Sequence, residues 1–226
     1  MRFSIVIPTW EQYGKGTFFL NQLFNSIKKQ SFKDFEIIIS DHSKNEEIKN
    51  LCGNFKELNI LYIKNELNRG NSPANLNNGL KHAKGEIIKV MFQDDFFIDD
   101  NSLEKIHQSF KSSSCKWLVN GSCVTPDSTI FHSCMIPSWN NNIPVGINTI
   151  GSPSVISFIN EDILFFDENL VMMMDCDYYY SLYKKYGLPY IHQDYLIAGT
   201  SHPHQISKMY DKDLQTEINL IKTKQL

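Results

Sequence analysis

The chain has 226 residues, 42% of them hydrophobic, and sets 22 Lys and Arg against 25 Asp and Glu for a formal charge of −3 at pH 7. That length buries a substantial core in one domain, and so even a charge balance gives no general attraction to nucleic acid or acidic membranes. The opening run, residues 1–8, is too short for a signal peptide or a spanning helix, and no later stretch reaches the roughly 18 apolar residues of a membrane crossing, so a soluble, cytoplasmic chain is expected.

Residues 3–7 form a continuous apolar strand that Pro8 is expected to end, and residues 18–29 carry Phe19, Leu20, Leu23, Phe24 and Ile27 at the spacing of an amphipathic helix. A second buried strand over 35–39 runs into Ser40, Asp41, His42 and Ser43, followed by a short helix over 46–55 and a third strand over 60–63. A polar loop rich in Asn and Gly occupies 65–73, then a helix over 75–83 and a fourth strand over 87–92. Continuously apolar strands separated by helices describe an α/β fold whose mainly parallel sheet is covered on both faces. Ligands bind such sheets beyond the carboxyl ends of the strands, so Pro8 and Thr9, Asp41, and the pair Asp94 and Asp95 are expected on one rim.

The second half is less regular. Residues 101–110 read as a helix, 117–123 as a strand, 154–160 as another strand and 177–186 as a helix ended by Gly187 and Pro189. Between them, residues 125–151 hold Pro126, Pro137, Pro144 and three consecutive asparagines, the composition of an irregular loop. Leu214, Ile218 and Ile221 lie at helical spacing in the tail. Five cysteines, an odd number with no Cys-x-x-Cys spacing, predict reduced thiols in place of a disulfide framework or a zinc ribbon.

The acidic pair Asp94-Asp95 directly after an apolar strand is the most informative feature. Adjacent like charges repel unless a cation, a donor or water stabilises them, and a divalent metal carrying a phosphate answers that need. The competing reading is a helix cap, a position that Asp favours.

The order of features resembles family-2 glycosyltransferases. The opening stretch Ser4-Ile5-Val6-Ile7-Pro8-Thr9, the second strand Phe35-Glu36-Ile37-Ile38-Ile39-Ser40-Asp41-His42-Ser43, Asn68-Arg69-Gly70, the run 77–86 and Gln93-Asp94-Asp95 follow that family's pattern, densely over residues 3–100 and sparsely afterwards. The resemblance implies a GT-A fold in a single domain over 1–226, with a nucleotide-sugar half over 1–100 and an acceptor half over 101–226. It implies a metal-dependent, inverting transfer of a sugar from a nucleotide diphosphosugar, foremost a UDP-sugar, to a glycan or glycoconjugate acceptor in surface polysaccharide synthesis. Peripheral association with the inner face of a membrane is compatible with it. By the same resemblance Pro8 and Thr9 face the nucleoside, Asp41 reads the base, Asp94 meets the ribose or a metal-bound water, and Asp95 binds Mn2+ or Mg2+. Asp41 as acceptor for the N3 proton of uracil competes with Asp41 as a turn residue. Arg69 is placed to reach the phosphates or to sit in a plain surface turn. Asn77 stands where relatives carry an Arg-Asn pair, but Leu76 precedes it here.

Inversion needs a base for the acceptor hydroxyl. Asp175-Cys176-Asp177 is the acidic cluster placed to serve; the resemblance maps the base to Asp175, with Asp177 as the alternative, and helix capping competes with both. Gly151-Ser152-Pro153-Ser154 would line a sugar or form a turn, Trp117, Trp139 and Tyr178 to Tyr180 would stack on sugars or pack, and the segment 202–207 resembles one that closes over the nucleotide, with His204 near the metal or phosphates. Two other functions remain open: a nucleotidyltransferase, kept alive by Gly14-Lys15-Gly16 after the first strand, and a non-catalytic sugar-nucleotide-binding scaffold, suggested by the departures at Leu76 and Met174.

Overall fold

A computed structural model describes residues 2–205 and 214–224. Within them nine strands form one sheet: β1 (Phe3–Thr9), β2 (Phe35–Asp41), β3 (Ile60–Lys64), β4 (Ile87–Val90), β5 (Asp95–Phe97), β6 (Trp117–Thr125), β7 (His132–Met135), β8 (Ile156–Ile159) and β9 (Tyr190–Thr200). The order is β3-β2-β1-β4-β8-β6-β9-β5, with β7 pairing β6 off that path. The first half is parallel as expected, β1 pairing β2 and β4, and β2 pairing β3. The second half is mixed: β8 runs antiparallel to β4 and β6, β5 antiparallel to β9, and β6 parallel to β9.

The helices are α1 (Gly16–Lys29), α2 (Glu47–Asn54), α3 (Ser72–Leu80), α4 (Ser102–Ser113), α5 (Met174–Tyr186) and α6 (Leu214–Lys224). Side chains alternate across a strand, and β1 shows the result. Ile5 and Ile7 join Leu20, Leu23, Phe24 and Ile27 of α1, with α2 and α4, in one core. Val6 joins Leu76 and Leu80 of α3, with α5 and α6, in the other. Gly79 lets α3 lie tight on the sheet, because a Cβ there would stand 2.7 Å from Val6 Cγ1.

Several expectations need correction. β1 does not stop at Pro8; Pro8 pairs with Ser40 and Thr9 with Asp41. The missing N–H is harmless, because Val6 and Pro8 direct their backbone polar groups toward β4, and that ladder ends at Val6 opposite Val90. α3 starts earlier than the expected 75, capped by the Asn71 side chain, which accepts from Ala74 N at 2.8 Å, with Pro73 in the first turn. β5, β7 and β9 were not foreseen. The thiol reading fails for one pair: Cys123 and Cys134 form a disulfide, while Cys52, Cys115 and Cys176 are free. The cause is local, since β6 and β7 fold back antiparallel and set residues 11 apart in sequence side by side. Among the described residues no helix is long and apolar enough to cross a membrane.

Candidate active site

The carboxyl ends of β1, β2 and β4 bring Thr9, Asp41 and the Asp94-Asp95 pair to one rim. Asp41 is fully buried and its carboxylate is already well supplied. Oδ1 accepts from Thr9 Oγ1 at 3.1 Å, Ser43 N at 2.9 Å and Ser43 Oγ at 2.6 Å, while Oδ2 accepts from Tyr62 Oη at 2.7 Å. Lys64 Nζ stands 3.7 Å from Oδ2. In this arrangement Asp41 locks β1, β2 and β3 together, and Oδ2, with one hydrogen-bond donor, is the oxygen with acceptor capacity left for a base. Thr9 is equally committed, its carbonyl accepting from His42 N at 2.9 Å and from Asn75 Nδ2 at 3.1 Å. The next turn is strained: Gln12 and Tyr13 hold φ of 44° and 52°, left-handed values that side-chain-bearing residues avoid. That turn puts Gln12 between Gln93 and His202, its Nε2 being 3.2 Å from His202 Nε2.

Asp94 and Asp95 face different neighbours. Asp94 Oδ2 accepts from His202 Nε2 at 3.0 Å, and the imidazole stacks on Phe19 with ring centroids 4.6 Å apart. Asp95 opens β5 and is buried beside Gly199 of β9, where a Cβ would come within 3.0 Å of its Oδ1. Its Oδ2 accepts from Ser152 Oγ at 3.3 Å. Burial first, and then the charge of Asp94, push the Asp95 carboxyl up to about 8. Lys89, buried in β4, answers that charge only partly, for burial pulls its own ammonium down to about 7. Lys89 also donates to the carbonyls of Ser154 and Ile156, and Ser154 Oγ accepts from Phe92 N at 2.8 Å, so β4 and the 152–156 segment are tied together beneath the acidic pair.

A divalent cation fits this corner. Two adjacent carboxylates offer hard oxygen donors, which suit Mg2+ or Mn2+ when phosphate oxygens and water complete the shell. Among the described residues no group of three or more His, Cys, Asp and Glu is arranged to hold a metal ion, so the protein offers at most the two carboxylates. That too suits these ions, which keep positions open for phosphate oxygens and water. The imidazole at the pair belongs to His202; His204, the expected one, packs its ring on Tyr13 at a centroid distance of 4.8 Å, and its neighbours Ile206 and Ser207 lie outside the described residues.

From Asp95 a short hydrogen-bonded path leads to Asp175. Ser152, next to Gly151, holds Asp95. Gly151 O accepts from Tyr179 Oη at 2.9 Å and from Asn148 Nδ2 at 3.0 Å. The same Asn148 amide donates to Asp175 Oδ2 at 2.6 Å, and Asp175 Oδ1 accepts from Cys176 N at 2.7 Å. Burial is the main influence on Asp175 and pushes its carboxyl up to about 6. Asp177, in the same first turn of α5, points elsewhere: Lys224 Nζ lies 3.2 Å from its Oδ1.

Two expected site residues lie apart from this path. Arg69 sits in the exposed loop before α3 and pairs with Glu66 at 3.2 Å. Asn77 is buried, donating to Phe166 O at 2.8 Å and Glu168 Oε1 at 3.1 Å and accepting from Phe166 N at 2.8 Å, so its amide clamps a neighbouring loop. Sequence reasoning missed Lys89, Asn148 and His202 as site residues. A lysine inside an otherwise apolar strand directly before the acidic pair was the available signal for the first; the other two lie in irregular segments with no periodicity to place them.

Comparison with known proteins gives consistent results. The sequence model of Glycosyl transferase family 2 matches residues 4–118. The GalNAc(5)-diNAcBac-PP-undecaprenol beta-1,3-glucosyltransferase of Campylobacter jejuni is 31% identical over 96 residues, which are 42% of this chain and 30% of that protein. The chain therefore matches under a third of that relative's length. Among solved structures, Staphylococcus aureus TarS 1-349 in complex with UDP superposes with a TM-score of 0.72 at 18% identity, covering 98% of this chain and 65% of that one. The mannosyltransferase PcManGT of Pyrobaculum calidifontis, in complex with GDP-Man and Mn2+, gives a TM-score of 0.66 at 14% identity, covering 98% and 68%. At such identities these two likenesses establish the fold.

Proposed function

Because the chain belongs to glycosyl transferase family 2, we propose that it transfers a sugar, with inversion, from a UDP-sugar to a hydroxyl of a glycan or glycoconjugate in the synthesis of a surface polysaccharide. The observation that carries this reading is the continuous path from the Asp94-His202 contact through Asp95, Ser152, Gly151 and Asn148 to Asp175. That path supports reading the acidic pair as a diphosphate-binding corner and Asp175 as a general base within reach of it, as a single displacement requires. UDP as the nucleotide is supported by the TarS complex, and a lipid-linked glycan acceptor by the name of the Campylobacter relative.

Asp94 and Asp95 would hold Mn2+ or Mg2+, which when bound offsets the negative charge on the departing nucleoside diphosphate, and His202 would orient Asp94 through its hydrogen bond. The chain's own residues do the rest. Asp175 accepts the proton of the acceptor hydroxyl while that oxygen bonds to the anomeric carbon and the bond from this carbon to the diphosphate oxygen breaks. Burial has moved its carboxyl to about 6, close to neutral pH, where a general base works best. Asn148 fixes which carboxylate oxygen is presented by holding Oδ2. Asp177, paired to Lys224, keeps α6 in place.

A screen of common nucleotide sugars with mass-spectrometric detection of transfer and of slow donor hydrolysis tests the reaction class. Turnover of a UDP-sugar is the expected result. Nucleotide-sugar binding without turnover of any donor, with a panel of glycan acceptors present, would favour the non-catalytic scaffold.

A further inference from the structure

α5 carries the proposed base in its first turn, yet its N-cap residue, Met173, has no side chain able to accept a hydrogen bond. The amides that lead into the helix are instead gathered by a carboxylate from a helix 40 residues further along the chain. Glu217 of α6, itself buried, takes Val171 N on Oε1 at 3.0 Å, and Met172 N and Met173 N on Oε2 at 2.9 and 2.8 Å. Three consecutive amides entering α5 therefore converge on one carboxylate, whose negative charge also lies at the positive end of the helix dipole.

The rest of α6 reinforces this attachment. Lys224 bridges Asp167 and Asp177, on either side of the capped turn. Ile221 is buried in the core shared with α5, and Ile218 packs beside Gly146 near Met173. Gly146 ends the short 3-10 turn Ile143–Val145, two residues before Asn148, the side chain that orients Asp175. One helix thus braces both the turn that presents Asp175 and the loop that holds it.

Resting on the reading of Asp175 as the base, we propose that Glu217 is a positioning residue of the transfer reaction: by capping the turn 171–173 from α6 it fixes the carboxylate of Asp175 against the acceptor hydroxyl. Carboxylate geometry is what suffers when the cap is lost. Displacement of a catalytic group by about 1 Å costs on the order of 100-fold in rate, while the donor corner at Asp94 and Asp95 keeps its own contacts.

The test is a mutant cycle of Glu217→Gln with Asp175→Asn, measuring kcat, acceptor KM, UDP affinity by calorimetry and Tm. Glutamine keeps the shape but offers a single acceptor oxygen. The expected result is a kcat loss of about 10- to 100-fold for Glu217→Gln, UDP affinity unchanged within about twofold, and no additional loss in the double variant, because residues acting as one unit are not additive. Losses that multiply in the double variant, or full kcat in Glu217→Gln beside an inactive Asp175→Asn, overturn the proposal. Full transfer by Asp175→Asn instead overturns the base assignment beneath it. Should Glu217→Gln melt below the assay temperature, Glu217→Asp, which keeps the charge and shortens the reach, is run through the same cycle well below its Tm and read by the same criteria.

Discussion

Asp175 keeps a proton to about pH 6 because burial disfavours its charge more than the Asn148 amide and the Cys176 N–H favour it. Two consequences follow at this residue. The transfer rate should fall as pH drops below about 6, since the base is then protonated, and Asn148→Ala, by removing a donor that lowers the carboxyl, should move this acid limb to higher pH and reduce kcat about tenfold. A pH profile of kcat for both proteins checks the shift. The second consequence concerns stability. The carboxyl stands at about 6 when folded against 3.8 for an ordinary aspartate, so the folded state binds the proton more tightly. Stability from this group is then greatest below about pH 4 and falls as pH rises to about 6. Asp175→Asn should therefore raise Tm at pH 7, by calorimetry, while lowering transfer about 10²- to 10⁴-fold and leaving UDP binding intact. A loss of transfer in Asp177→Asn with full activity in Asp175→Asn would move the base to Asp177.

Among the elements, those whose burial is uniform were legible and those whose burial changes along their length were not. β1, β2 and β4 are buried along their whole lengths and appear in the sequence as apolar runs. β9 begins exposed at Tyr190 and becomes buried only from Leu196, and its pairing with β6 shifts register around Gly121. Neither an alternating nor a continuous apolar pattern results, so the strand carries no periodic signal. β5 is three residues long and starts at Asp95, the second acid of the pair. β6 is legible as a strand over 117–123, but its hairpin partner β7 lies in the stretch whose prolines and asparagines suggest irregular chain, which also hid the disulfide. Closing a loop with Cys123 and Cys134 11 residues apart should stabilise the fold by roughly 2–3 kcal/mol. Melting of Cys134→Ser against the parent protein, with and without reductant, measures this; equal Tm values in all four conditions would show that the bond contributes nothing.

At the level of the whole molecule, the rim formed by β1, β2 and β4 was readable because each of its strand ends carries a local signal, and the family match spans residues 4–118. The surroundings of Asp175 are assembled from side chains that meet only in three dimensions. Asn148 reaches Asp175 across 27 residues, Ser152 reaches Asp95 across 57, and His202 reaches Asp94 across 108. No local pattern encodes those distances. The sequence pattern put Thr9, Asp41 and the acidic pair on one rim, where their strands end, but said nothing of how Asp175 or the His202 imidazole lie relative to them. The roles given to Arg69, Asn77 and Asp41 met side chains already occupied with ion pairing, loop clamping and strand locking.

The proposed reaction requires Asp94 and Asp95 to hold a nucleoside diphosphate through a divalent cation. Calorimetric titration of UDP into the protein with Mn2+ and, separately, with chelator tests it most directly, with Asp95→Ala as the matched control. Binding should be at least about tenfold tighter with Mn2+, a linkage of roughly 1.4 kcal/mol, and Asp95→Ala should abolish the difference. Equal UDP affinity with and without the metal, or a metal effect that survives Asp95→Ala, would contradict it.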